Sequence, residues 1–69
     1  MPTTDYVVTG MTCDHCVHAV TEEVSALDGV DDVAVDLTSG RLTVVSSAEV
    51  PFAAIATAVD EAGYAVAPA

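Results

Sequence analysis

A chain of 69 residues has room for one domain, and a domain of this size buries only about 60% of the surface that its unfolded form exposes. Apolar residues make up 52% of it, mostly Val and Ala with three aromatics (Tyr6, Phe52, Tyr64), which excludes a disordered chain and predicts a core of small branched side chains. Eleven acidic residues face one basic residue, Arg41, for a formal net charge of −10. Nucleic acid and anionic membranes are thereby excluded as partners, because both require cationic side chains to displace counterions.

No apolar stretch approaches the roughly 20 residues that span a bilayer. Met1-Pro2-Thr3-Thr4-Asp5 has neither the basic start nor the apolar run of a secretory leader, so a cytoplasmic location is expected. In that reducing compartment a close pair of cysteines is metal-binding or catalytic rather than a structural disulfide.

Asp5-Tyr6-Val7-Val8-Thr9 reads as a short strand ended by Gly10. Val17, Val20, Val24 and Leu27 then recur three and four apart, the period of an amphipathic helix. This helix is expected to start between Thr12 and Asp14, where a hydroxyl or carboxylate can cap free N–H groups, and to end at Asp28-Gly29. Val33, Val35 and Leu37 alternate with polar or small residues, Thr38-Ser39-Gly40 turns, and Arg41 to Val45 resumes the alternation: a β-hairpin. Ser46-Ser47-Ala48 leads to a second helix, with Pro51 in its first turn and Phe52, Ile55, Val59 and Ala62 as its buried stripe. Gly63 stops it, Tyr64-Ala65-Val66 supplies a last strand, and a fraying Pro-containing tail follows. The order β-α-β-β-α-β predicts an α+β, ferredoxin-like sandwich over residues 1–69, with both helices on one face of a four-stranded antiparallel sheet. That architecture hosts many unrelated activities, so function must come from particular residues.

Gly10-Met11-Thr12-Cys13-Asp14-His15-Cys16 sets two thiols three positions apart, across the loop that leaves the first strand and the first turn of the helix. The partial positive charge and free N–H groups of a helix start lower the pKa of a nearby thiol and favour the thiolate that ligates metal, most of all at Cys16. Two thiolates select soft ions such as Cu(I) or Zn²⁺ over Mg²⁺ and Ca²⁺. Structural zinc wants four ligands, and the extra donors at hand are His15, which would have to fold back, and His18, which points to another side. A two-thiolate site with an open periphery suits an ion that tolerates low coordination and must be handed on, so Cu(I) is preferred. His15 reads as a loop side chain that modulates thiol acidity rather than as a ligand.

The segment Gly10 to Cys16 resembles the GMTCxxC loop of heavy-metal-associated domains, and more narrowly that of bacterial cytosolic copper chaperones, many of which carry His before the second cysteine. The resemblance runs over nearly the whole chain, including Glu61-Ala62-Gly63-Tyr64. It implies a non-enzymatic copper carrier that binds Cu(I) at Cys13 and Cys16 and passes it to a copper-transporting P-type ATPase or related acceptor through shared thiolates. It also implies that Met11 is a buried loop anchor and that Tyr64 lies beside the metal. Without lysine, this chain departs from relatives that dock through a basic face. Asp14, Glu22, Glu23, Asp60 and Glu61 instead suggest an acceptor that is basic around its entry site.

Three alternatives compete. The domain could be the metal-binding module of a transporter or a carrier of Zn²⁺, Cd²⁺ or Hg²⁺. It could be a thiol oxidoreductase, against which stand its shortness and the lack of a Trp before the motif or of a Pro facing the thiols. It could be an interaction domain with incidental cysteines. A copper-bridged homodimer is a further expectation, since exposed dithiolate loops can share Cu(I).

Overall fold

The computed structural model describes residues 3–69; Met1 and Pro2, where the leader reading begins, lie outside the described residues. Six elements follow in the expected order: β1 (Thr3–Thr9), α1 (Asp14–Ser25), β2 (Val30–Asp36), β3 (Arg41–Ser46), α2 (Phe52–Glu61) and β4 (Ala65–Pro68). The strands form one sheet in the order β2-β3-β1-β4, every neighbouring pair antiparallel. With α1 packed towards β2 and α2 towards β4, the helices share one face of that sheet.

Alternation along the strands decides which side chains meet them. Tyr6 and Val8 of β1 and Leu42 and Val44 of β3 are buried beneath Val20 and Val24 of α1 and Ile55, Ala58 and Val59 of α2. Leu42, Ile55, Val20, Val24 and Val59 are the largest fully buried side chains, each contributing about 1.5–3 kcal/mol relative to an exposed position. The opposite face carries the polar positions, where the Thr43 hydroxyl donates to Asp5 Oδ1 at 2.9 Å across β1 and β3.

The hairpin turn has a local cause. Asp36 Oδ1 accepts from the Thr38 N–H at 3.0 Å, and the Gly40 N–H returns to the Asp36 carbonyl at 2.8 Å. Gly40 has φ +74°, and a Cβ there would stand 2.6 Å from the Val8 carbonyl oxygen. The turn therefore needs glycine both for its conformation and for the closeness of β1.

Element boundaries differ from the expectations in instructive ways. Helix α1 ends at Ser25 because the chain tightens there: the Leu27 N–H bonds to the Val24 carbonyl at 3.1 Å, leaving Leu27 half-buried beyond the helix. Leu37 belongs to the turn and not to β2, which instead begins earlier, at Val30, with a register shift between Val30 and Asp32. Phe52, expected in the buried stripe of α2, is 41% exposed; as the first helical residue it lies beside Tyr6, ring centroids 5.9 Å apart, at the end of the core. Ala58 takes the buried place instead, and Ala62 caps the helix half-buried. Tyr64 precedes β4, and Pro68 lies within it, opposite Tyr6. An edge strand tolerates proline because its lost donor can face outward. The last residue is also paired, its Ala69 N–H donating to the Asp5 carbonyl at 3.4 Å.

Candidate metal site

The loop between β1 and α1 is fixed at both ends. Gly10 has φ +95°, and a Cβ there would touch Tyr64 Cδ1 at 3.4 Å, so glycine brings the loop close under the tyrosine ring. Met11 is half-buried and packs against the core, a less complete burial than the resemblance implied. Cys13 is the N-cap of α1, extended at φ −159° and ψ 175°, and its carbonyl accepts the first helical bond, from the Cys16 N–H at 3.0 Å.

No side chain caps this helix, contrary to the expected role of a hydroxyl or carboxylate there. Thr12 faces the thiols instead. Its backbone N–H points to Cys16 Sγ at 3.5 Å, and its hydroxyl lies 3.8 Å from the same sulfur. Cys13 is exposed and Cys16 buried, and their sulfurs are 3.7 Å apart.

Donors aimed at one sulfur favour its anion. The Cys16 thiol is lowered to about 6, first by the Thr12 backbone N–H, then by the Tyr64 hydroxyl, with the Cys13 backbone N–H and Thr12 hydroxyl adding to them against the opposing effect of burial. The reciprocal effect raises Tyr64, first through the Cys16 sulfur that favours its protonated form, then through burial and the negative charge of the two cysteines. Tyr64 sits against the β1–α1 loop, beside Gly10.

His15 stands in the first turn of α1, between Asp14 and Cys16. One residue along the helix from a buried side chain, it lies on the exposed face of α1 with Asp14, His18 and Glu22. Sequence reasoning assigned thiol tuning to His15 and to the helix start, and it missed Thr12. No sequence signal marks Thr12: its backbone N–H reaches Cys16 only because the residue immediately before the N-cap is folded back over the first turn.

Among the described residues, no three or more His, Cys, Asp and Glu side chains are grouped as a ready-made metal cage. The cysteine pair therefore offers two donors to an ion. At metal–sulfur bonds of about 2.3 Å, a separation of 3.7 Å corresponds to a roughly tetrahedral S–metal–S angle. That bent angle leaves the outer side of an ion open, and exposed Cys13 can widen it.

The heavy-metal-associated domain family matches residues 6–65. The chain is 46% identical over 61 residues to a copper chaperone CopZ of Bacillus subtilis, covering 87% of this chain and 88% of that one. It is 37% identical over 62 residues to a copper-transporting ATPase 2 of Rhizobium meliloti, covering 90% of this chain but 8% of the ATPase. Among solved structures, a CopZ metallochaperone superposes with a TM-score of 0.88 at 30% identity, covering 94% of this chain and 98% of that one.

Proposed function

The chain belongs to the heavy-metal-associated domain family, and on that premise we propose that it is a copper chaperone: Cys13 and Cys16 hold Cu(I) and surrender it to a copper-transporting P-type ATPase. The observation that carries this reading is the pairing of an exposed thiol with one whose acidity is raised to about 6, 3.7 Å apart. A thiolate is available at neutral pH without metal, and soft sulfur donors favour Cu(I). Two donors at a bent angle leave space for a third thiolate from outside, so an acceptor can engage the ion before either cysteine lets go.

Residues around the pair have distinct tasks in this account. Thr12 and Tyr64 stabilise the Cys16 thiolate with directed donors, Met11 ties the loop to the core, and Cys13 is the arm that moves. A similar domain occupies 8% of the rhizobial copper-transporting ATPase, which supports both an acceptor of the same build and the reading of this domain as a module within a transporter. Either role uses the same thiols.

The test is transfer. Copper-loaded protein mixed anaerobically with a heavy-metal-associated domain cut from a copper-transporting ATPase should share its Cu(I) between the two within the mixing time. A Cys13→Ser variant should lose that exchange. Copper that stays on the wild-type protein, or that yields to a weak Cu(I) chelator while Zn²⁺ does not, contradicts the proposal. Metal bridging between two copies of the chain should appear as a copper-dependent rise in sedimenting mass, and an unchanged monomer mass removes it.

A further inference from the structure

Asp14, His15, His18 and Glu22 line one shallow depression of about 320 Å³ on α1, and every residue of that lining carries an oxygen or nitrogen donor. At 100° per residue, the four fall within an arc of about 100° on the helix, with His15, His18 and Glu22 inside about 60°. His15 to His18 and His18 to Glu22 are spaced three and four apart, where side chains meet on a helix surface. All four side chains are exposed and free to turn, whereas Cys16 points into the buried side of the same helix. The dithiolate does not use this face.

We propose that the outer face of α1 is a second, thiol-independent metal site, in which the His15 and His18 imidazoles and the Glu22 carboxylate, with Asp14 at its edge, take one borderline divalent cation of the Zn²⁺ class. Imidazole nitrogens beside carboxylates suit such an ion, and they suit Cu(I) less well than the thiolate pair does. The donors do not converge in the side-chain positions of the structure, where no three-donor group is formed. Rotation of exposed side chains completes the set, at a cost in rotamer freedom that keeps the site weaker than a closed zinc cage. A net charge of −10 raises the local concentration of any divalent cation around it. An ion bound there offsets the Asp14 carboxylate beside the thiol loop and the Glu22 carboxylate two turns along α1, and so changes the charge that this face presents.

The experiment uses the full chain with both Cys13→Ser and Cys16→Ser, so that its outcome is independent of the copper reading. Imidazole resonances of His15 and His18 are followed by NMR during titration with Zn²⁺, and separately with Mg²⁺. Both histidines should shift together and saturate at one Zn²⁺ per chain, with Mg²⁺ producing no such shift. His18→Ala, at an exposed position that leaves the fold intact, should weaken binding about tenfold or more, and Glu22→Gln should weaken it measurably. Shifts that never saturate, that Mg²⁺ reproduces, or that survive both substitutions overturn the proposal.

Discussion

Cys16 shows how a single side chain acquires its chemistry from its neighbours. Its sulfur receives the Thr12 N–H and faces the Tyr64 hydroxyl, and both effects act on the anion. Thiolate absorbance of the apo protein should therefore show a step near pH 6 that Cys16→Ser removes. Tyr64→Phe should move that step upward, since it deletes a hydroxyl that favours the thiolate. An unmoved step would mean that Tyr64 only covers the loop. The same depressed pKa links folding to pH. The thiol is more acidic folded than unfolded, so its contribution to stability is complete above the ordinary thiol value of 9 and is lost as pH falls through about 6. Apo stability measured by urea should rise with pH across that window in the wild type, more than in Cys16→Ser.

Cys13 and Cys16, the proposed ligands, were legible as a pair because three positions span about one helical turn. Their tuning was not, because the N–H of Thr12 carries no mark in the sequence. A backbone donor becomes visible only once the loop is folded and the N-cap is known to be Cys13.

At the scale of elements, periodicity gave the number, type and order of strands and helices, and it placed Val20, Val24, Ile55 and Val59 in the core. The ends resisted. Phe52 reads as core by its hydrophobicity, yet a first helical residue at the sheet end has half its surroundings missing. Pro68 reads as a breaker, yet β4 is an edge strand and can carry it. Ala58 looks like filler, yet it is one of the buried residues of α2. Two substitutions test this level. Ile55→Val, which removes one methyl group from a fully buried position, should lower stability by about 0.5–1.5 kcal/mol with copper stoichiometry unchanged. Gly40→Ala should cost more than that by urea unfolding, because its Cβ meets the Val8 carbonyl and its φ is positive. A Gly40→Ala chain as stable as the wild type would show that the turn has another conformation available.

The whole molecule adds charge to this picture. Acidic residues are spread from β1 to the end of α2 with Arg41 as the lone basic residue, but those nearest the thiols are few. Asp14 opens α1 directly after Cys13, and Asp60 and Glu61 close α2 just before the Tyr64 loop. Glu22 and Glu23 lie two turns further along α1. A basic acceptor is the complement of such a rim. Exchange of Cu(I) with it should slow steeply between low salt and about 0.5 M salt, where the screening length falls to a few ångströms. A rate that ignores salt would leave the acids as solubilising groups only.

The central claim is that the two thiolates, and no other donors, hold a soft ion. Native mass spectrometry after anaerobic titration with Cu(I) tests it most directly, because metal identity, stoichiometry and oligomer mass are read together. The account predicts copper on the wild-type chain, as one ion per monomer or bridging a pair, and none on the chain in which Cys13 and Cys16 are both serine. Copper retained by that double variant at the same stoichiometry would contradict it.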